Sequence, residues 1–358
     1  GLGAGRTAVN ITAGDAHTCA ILDDGSLKCW GYNYYGQLGI GSETSHYTPQ
    51  LVSLGTGRTA VSVSAGDQHT CAILDDGSLK CWGANYNGQL GIGTNTNQNT
   101  PQQVSLGTGR SAVSVSAGHH HTCAVLDDDS LKCWGYNNYG QLGIGSTTNQ
   151  NTPQPVSLGT GRAVVSVSAG HSHTCAVVDD GSLKCWGYNY YSQLGGASNA
   201  NSENSPVNVI MNSEFPIESV FTSTARSTAP SCAVQGKSIF CWGAWFSSSS
   251  DSRLLYPMMM PYQFKAAKEL TLSRSQHFSC VIDVKDKLVC IGEGSDGQLG
   301  NNASSDSTTP VTPEGIDRAT KISAGGRHSC AILENGSLKC WGRNNDGQLG
   351  IGSNTNQN

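Results

Sequence analysis

The chain has 358 residues, of which 45 are glycine, 37% are hydrophobic and 13% are charged, with a net charge of −5. This balance is typical of a β-rich fold with many turns, since each small sheet buries few side chains. It offers no basic footprint for nucleic acid and no polybasic patch, and no run approaches the length of a transmembrane helix. We therefore expect no nucleic-acid partner and no direct membrane insertion.

One stretch recurs along the chain, and its second copy spans His69–Gly91. Two cysteines flank an Asp-Asp-Gly loop there, and Trp-Gly and Gly-Gln-Leu-Gly follow. The first cysteine returns about every 50 residues, a period typical of solenoids, propellers or arrays. We expect residues 1–358 to form one domain of seven repeats, the fifth of which, at about 205–265, diverges from the others.

Four short strands are predicted in the second repeat, and they are Ala60–Ser64, His69–Leu74, Ser78–Trp82 and Pro101–Leu106. The first alternates apolar and polar residues, as a half-buried strand does. Pro101 is placed at the start of the fourth, where a missing N–H is tolerated. Four strands in about 50 residues indicate one blade of a β-propeller.

The two cysteines of each repeat are expected to face each other across a hairpin. Pairing outward from Asp76 sets Cys71 opposite Cys81 and leaves a three-residue loop that ends in Gly77. At a non-hydrogen-bonded pair the strands approach most closely, so a disulfide is feasible there. Asp129 and Asp286 replace this glycine in repeats three and six, and Asp tolerates the left-handed region.

The fifth repeat compensates for a shorter loop. Cys232 and Cys241 are one residue closer together, and a two-residue loop at Gly236-Lys237 keeps them opposite each other. Metal ligands would not need this compensation, and zinc sites use converging Cys-x-x-Cys pairs. The predicted disulfides are Cys19–Cys29, Cys71–Cys81, Cys123–Cys133, Cys175–Cys185, Cys232–Cys241, Cys280–Cys290 and Cys330–Cys340. They indicate an oxidising compartment.

The two ends of the sequence fall inside the repeat. Asn358 aligns with Asn99 and Gly1 with Ser105, so the equivalents of Thr100–Val104 are missing between them. We expect both termini to close the last blade, and a chain trimmed from a longer precursor is the simplest reading. An open sheet edge that accepts a partner strand is the alternative.

The pattern at Gly66–Gly91, with its His, Asp-Gly turn, Trp-Gly and Gly-Gln-Leu-Gly in order, resembles the repeat of the regulator of chromosome condensation family. The resemblance covers essentially the whole chain. It implies an all-β fold, a seven-bladed β-propeller with four short antiparallel strands per blade. Ile291 replaces the Trp in repeat six, and the paired cysteines resemble a secreted branch of the family.

Histidines recur at one position of the repeat, and they are His17, His69, His121, His173, His277 and His328. A structural role, bonded to a neighbouring backbone group, is favoured over a ring of metal ligands. A weaker metal hypothesis rests on Asp15, Asp67, His119 and His171, which share another repeat position. We assign no cofactor.

Two sets of residues are candidates for an interaction surface. The first lies in the loops before Gly-Gln-Leu-Gly, and it is Tyr34, Tyr35, Tyr86, Tyr139, Tyr190 and Tyr191. Tyr and Asn in loops are typical of recognition surfaces, and packing between blades is the alternative. The second set lies in repeat five and is Trp245, Phe246, Tyr256, Met258, Met259 and Met260. The alternative is that these side chains only fill a gap left by the divergent repeat.

These features predict an extracellular or cell-surface, disulfide-stabilised binding or structural module, part of a larger surface or filament assembly. Its partner would be a protein or a glycan, including other domains of its own precursor. Asn10, Asn302 and Asn335 are glycosylation candidates. No catalytic motif appears, so we predict no enzyme. The alternative, implied by the family, is an intracellular guanine-nucleotide exchange factor or regulatory scaffold for a small GTPase.

Overall fold

The computed structural model describes residues 1–196, 198, 200–211, 216–225, 229–236, 238–244, 253–259, 267–274 and 277–358. At 244 and 253–259 it describes the backbone alone. All regular structure in these ranges is β-strand. No helix in the described ranges has the length and hydrophobicity needed to cross a membrane.

The strands follow one another in groups of four, and each group forms one antiparallel sheet in sequence order. The first blade is β1 (Ala8–Ala13), β2 (His17–Leu22), β3 (Leu27–Gly31) and β4 (His46–Leu51). The second is β5 (Ala60–Ala65), β6 (His69–Leu74), β7 (Leu79–Gly83) and β8 (Gln98–Gln103). The third is β9 (Ala112–Ala117), β10 (His121–Leu126), β11 (Leu131–Gly135) and β12 (Gln150–Val156). The fourth is β13 (Val164–Ala169), β14 (His173–Val178), β15 (Leu183–Tyr188) and β16 (Ser202–Asn208).

The remaining blades follow the same order, except that the last has three strands. The fifth is β17 (Ile217–Thr222), β18 (Ser231–Gln235), β19 (Ser238–Ala244) and β20 (Arg253–Met259). The sixth is β21 (Ala267–Leu272), β22 (Phe278–Asp283), β23 (Leu288–Gly292) and β24 (Ser307–Val311). The seventh is β25 (Ala319–Ala324), β26 (His328–Leu333) and β27 (Leu338–Gly342). The all-β, seven-bladed propeller class predicted from the repeats is confirmed.

The blades fall into two compact units. Unit one contains blades one, two, six and seven, and its residues are 1–84, 97–103 and 267–358. Unit two contains blades three, four and five together with the loop of blade two, and its residues are 85–96 and 104–266.

The cysteine hairpins form as predicted. Cys71 pairs with Cys81 across β6 and β7, and all seven predicted disulfides are present with Cα–Cα distances of 4.1 Å. Gly236 has φ +57° and Cys232 still pairs with Cys241, so the shorter loop preserves the facing pair. Asp129 and Asp286 adopt φ of 60° and 63°.

The predicted bounds of the fourth strand are wrong. β8 begins at Gln98, which pairs with Gly83 across a bulge, and it ends at Gln103. Val104 and Leu106 are nevertheless buried, so their apolar spacing belongs to the link that follows the strand. Pro101 lies inside β8 and costs no ladder bond, because an outermost strand has one neighbour only.

Apolar side chains of adjacent blades form the core. Between blades one and two of unit one, Leu27, Val52 and Leu74 pack with the fully buried indole of Trp82. The Trp82 Nε1–H and the Thr70 hydroxyl both donate to the carbonyl of Gln37 in the preceding blade, at 3.0 and 2.9 Å. The Trp-Gly, His-Thr-Cys and Gly-Gln-Leu-Gly motifs thus converge on one carbonyl oxygen.

Candidate functional site: an exposed tyrosine surface

A buried asparagine shapes each loop that carries the tyrosines. In the third blade the side-chain carbonyl of Asn137 accepts the Leu142 N–H at 2.9 Å, and its amide donates to the carbonyls of Ser146 and Thr148. Gln141 Oε1 accepts the N–H of Tyr139 at 3.0 Å. Hydrogen bonds within the loop therefore fix its conformation and hold Tyr139 in place. The recurring Asn-x-x-Gly-Gln-Leu motif is the feature of the sequence that could have predicted this loop.

The same frame is repeated in the neighbouring loops of unit two. Asn189 donates to the carbonyls of Ser198 and Ala200, and Gln193 accepts the N–H of Tyr191 at 2.8 Å. Asn85 likewise donates to the carbonyls of Thr94 and Thr96. Three consecutive loops thus present aromatic residues from equivalent frames, one residue after the asparagine at Tyr86 and Tyr190 and two residues after it at Tyr139 and Tyr191.

The rings of these loops touch in one continuous series, which we call the tyrosine strip. Its members are Tyr86, His120, Tyr136, Tyr139, Tyr188, Tyr190 and Tyr191, and each contacts the next with ring centroids 4.8 to 6.5 Å apart. The closest contact between repeats joins Tyr139 to Tyr188 at 4.8 Å. The strip is a packed aromatic surface, because edge-to-face ring contacts at these centroid distances are favourable.

Three rings of the strip face solvent. Tyr86 is 44% exposed, Tyr139 is 39% exposed and Tyr190 is 46% exposed. Tyr136 and Tyr188 are half-buried, and burial raises the pKa of Tyr136. The half-buried inner rings fit the packing alternative, and the exposed outer rings are accessible to a partner.

Unit one carries a smaller aromatic cluster at Tyr32, Tyr34 and Tyr35. Tyr34 is 66% exposed and meets the ring of Tyr35 edge to face at 5.2 Å. Of the candidates in repeat five, Trp245, Phe246 and Met260 lie outside the described residues. Tyr256, Met258 and Met259 lie in β20, where the backbone of Met258 pairs with Cys241.

The weak metal candidates divide between the two units. In unit two the rings of His119 and His171 lie 4.2 Å apart, and the ring of His120 lies 3.6 Å from that of His119. In unit one Asp15 and Asp67 lie near Arg274, whose Nε donates to the Ala13 carbonyl at 2.6 Å. Burial lowers the pKa of Arg274, and both carboxylates oppose that effect.

The sequence missed Arg274 because only the fold brings blade six to this position. Within the described ranges, no group of three or more His, Cys, Asp or Glu side chains is arranged to hold a metal ion.

Four of the recurring histidines bond a side-chain hydroxyl of an adjacent blade, where a backbone partner was expected, and they are His17, His121, His173 and His328. His121 Nε2 meets Thr174 Oγ1 at 2.9 Å, and His173 Nε2 meets Ser231 Oγ at 2.8 Å. His277 does not belong to this set. Phe278 pairs with Gly292 in the register of the other histidines, and His277 instead pairs with Glu293 at 3.2 Å.

The glycosylation candidates differ in exposure. Asn335 is exposed in a hairpin turn, where its Oδ1 accepts the Ser337 N–H at 3.0 Å. Asn302 is exposed and bonds the carboxylate of Glu314, and Asn10 is half-buried within β1. Asn335 and Asn302 are therefore more accessible than Asn10.

The blades and the tyrosine strip define a repeat propeller that carries an aromatic loop surface. The chain matches the RCC1-like domain family over residues 2–249, and RCC1 repeats over 287–332 and 319–348. It therefore belongs to the RCC1-like propeller family.

Three known proteins are similar to this chain in sequence or in fold. The Ultraviolet-B receptor UVR8 of Arabidopsis thaliana is 32% identical over 65% of this chain and 52% of its own length. Human WBSCR16 has a TM-score of 0.82 at 20% identity, over 93% of this chain and 89% of its own. The CRINKLY WD40 ectodomain of the Arabidopsis thaliana receptor kinase ACR4 has a TM-score of 0.56 at 18% identity, over 99% of this chain and 98% of its own. The chain thus spans about half the length of UVR8, and the two structures share its fold.

Proposed function

We propose that this chain is an extracellular, disulfide-stabilised binding module that holds a polypeptide partner on the tyrosine strip, with no catalytic step of its own. The observation that carries this proposal is the continuity of the strip, in which packed inner rings support the exposed Tyr86, Tyr139 and Tyr190. Tyrosine supplies large, rigid, amphipathic contact area at a low entropic cost, and flanking Asn residues add adaptable hydrogen bonds.

The compartment is inferred from the cysteines. All fourteen are paired and none is free, a state that glutathione and thioredoxin oppose in the cytosol and nucleus. The likeness to a receptor-kinase ectodomain supports an extracellular setting at the level of the fold. A thiol count on natively purified protein tests this part, because about fourteen reactive thiols would favour the intracellular exchange-factor alternative instead.

A site-specific photo-crosslinker tests the strip. With the crosslinker at Tyr139, we expect labelling of a polypeptide from the extracellular medium of the source organism. The crosslinker at Tyr47, 43% exposed in β4 and outside the strip, is the matched control. The double variant Tyr139→Ser, Tyr190→Ser should weaken binding of the purified partner at least tenfold, as expected for loss of central aromatic contacts.

Equal labelling from Tyr139 and Tyr47 would overturn the proposed site. Binding to immobilised glycans that is lost in the double variant, with no polypeptide labelled, would keep the strip and change the class of partner to a glycan. Unchanged thermal unfolding of the double variant would show that the substitutions act on binding.

A further inference from the structure

Three tyrosines of the first-blade loop form a cluster that we call the tyrosine triad, and they are Tyr32, Tyr34 and Tyr35. The rings of Tyr32 and Tyr34 are nearly parallel at 18°, with centroids 6.4 Å apart, and the ring of Tyr35 lies across both, at 69° and 87°. One cation can therefore lie within about 6 Å of all three centroids, the range over which an aromatic ring attracts it. Tyr34 is 66% exposed, and the equivalent Tyr190 in the middle of the chain is 46% exposed, so the repeat itself places this ring at the surface.

A carboxylate of the neighbouring blade, that of Asp346, lies close enough to act on the triad. In the repeat, Asp346 of the seventh blade takes the position of Tyr139 in the third. Tyr139 contacts Tyr188, the first tyrosine of the next blade, with ring centroids 4.8 Å apart. Asp346 likewise acts on Tyr32, the corresponding residue of the first blade, since burial raises the pKa of Tyr32 most and the negative charge of Asp346 adds to that effect. A cation at the triad is therefore attracted by the rings and by a carboxylate together.

The junction of blades six and seven shows what this aspartate position binds. Asp296 holds the same repeat position as Asp346, and its carboxylate pairs with Nη1 of Arg327 at 3.1 Å. Arg327 directly precedes the recurring histidine of its blade, and in the first blade Ala16 stands at that position. Among the described residues, Asp346 belongs to none of the ion pairs. The junction of blades seven and one thus repeats the acidic half of the pair without the guanidinium.

We propose that the tyrosine triad and Asp346 form a binding site for one arginine side chain of a partner polypeptide. The guanidinium pairs with the Asp346 carboxylate, as Arg327 pairs with Asp296, and its flat face lies against the triad. Arginine suits the site better than lysine, because a planar guanidinium stacks on aromatic rings and bonds a carboxylate through two N–H groups. All of these residues belong to unit one, whereas the tyrosine strip belongs to unit two, so the site goes beyond the proposed function.

The peptide Gly-Ser-Arg-Ser-Gly, titrated into protein with isotope-labelled tyrosine rings, tests the site by NMR. We expect saturable shifts of the ring signals of Tyr32 and Tyr34. The same peptide with citrulline, an uncharged analogue of arginine, should bind about tenfold more weakly, because the charge-assisted bond to Asp346 is lost. The peptide with lysine should also bind more weakly, because an ammonium group lacks the planar fork of donors.

Two pairs of variants separate the carboxylate and the ring from general effects. Asp346→Asn should weaken binding of the arginine peptide about tenfold. Asp317→Asn, at an exposed position elsewhere in unit one, removes the same charge and should leave binding unchanged. Tyr34→Leu should weaken binding about fivefold, and Tyr34→Phe should retain it, since a phenyl ring keeps the face that attracts the cation.

An arginine placed within the chain provides the blocked form of the site. Ala16→Arg supplies a guanidinium at the position of Arg327, so the arginine peptide should no longer bind. Ala16→Gln is the matched control, because Gln68 stands at this position in the second blade. Equal binding of the arginine and citrulline peptides, or equal binding by the two Ala16 variants, would overturn the proposal. Lysine binding as tight as arginine binding would overturn the assignment to a guanidinium.

Discussion

His17 Nε2 lies 2.9 Å from Thr70 Oγ1, so a side chain of the first blade bonds one of the second. The Thr70 hydroxyl donates onward to the Gln37 carbonyl, and its oxygen is therefore left to accept the proton on His17 Nε2. This hydrogen bond places a proton on Nε2, and burial lowers the pKa of His17, which favours the neutral ring. The same relation joins His328 to Thr18, which donates to the Gln348 carbonyl.

The buried histidines predict a loss of stability in acid. Burial lowers the pKa of His17, His173 and His328 from 6.5 to about 3. The unfolded chain gains a proton at each below pH 6.5 while the folded chain does not, so stability falls as the pH drops from about 6.5 towards 3. Each contributes a slope of up to about 1.4 kcal/mol per pH unit.

Urea unfolding between pH 8 and pH 4 measures this slope. The double variant His17→Gln, His328→Gln should show a slope that is lower by about 2 to 3 kcal/mol per pH unit. If the variant and the original chain show equal slopes, the loss of stability in acid does not come from these two histidines.

Removing the hydroxyl group that bonds one of the recurring histidines should destabilise the fold. In Thr174→Val, the buried Nε2–H of His121 and the Gln141 carbonyl each lose a hydrogen bond. We expect a cost of about 2 to 3 kcal/mol in the free energy of unfolding. The exposed Thr147→Val serves as the control and should change it by less than about 0.5 kcal/mol.

Alanine substitutions at two glycines of one loop should distinguish the cost of a steric contact from the cost of backbone strain. Gly91 and Gly93 have φ of +71° and +81°, so alanine is strained at either position. A Cβ at Gly91 would lie 2.6 Å from Trp134 Nε1, whereas at Gly93 the nearest atom lies at 4.0 Å. Gly91→Ala should therefore be less stable than Gly93→Ala by about 1 to 3 kcal/mol in thermal or denaturant unfolding. Equal losses would refute close packing on Trp134.

The buried asparagine that frames the tyrosine loops should be more important than its exposed neighbour. Asn137→Ala removes three hydrogen bonds and leaves the Leu142 N–H and two carbonyls without this partner. We expect a cost of about 3 kcal/mol or more in urea unfolding. Asn138→Ala, at an exposed position in the same loop, should cost less than about 0.5 kcal/mol.

The amino-acid sequence by itself determined the repeat, the hairpins and the cysteine pairs. Each hairpin closes within about ten residues, so loop length alone places the two cysteines opposite each other, even where Gly236 shortens the turn. The strand that follows was misplaced because Val104 and Leu106 are buried without belonging to β8. Apolar spacing reports burial, and it does not separate a strand from a buried link.

Only the tertiary structure decided which side chains of different repeats meet. The contact of Tyr139 with Tyr188, the bond of His17 to Thr70 and the approach of Arg274 to Ala13 all join separate blades. It also decided that Phe278, and not His277, takes the buried position in blade six. These distances depend on how neighbouring sheets pack, and spacing within one repeat does not encode that packing.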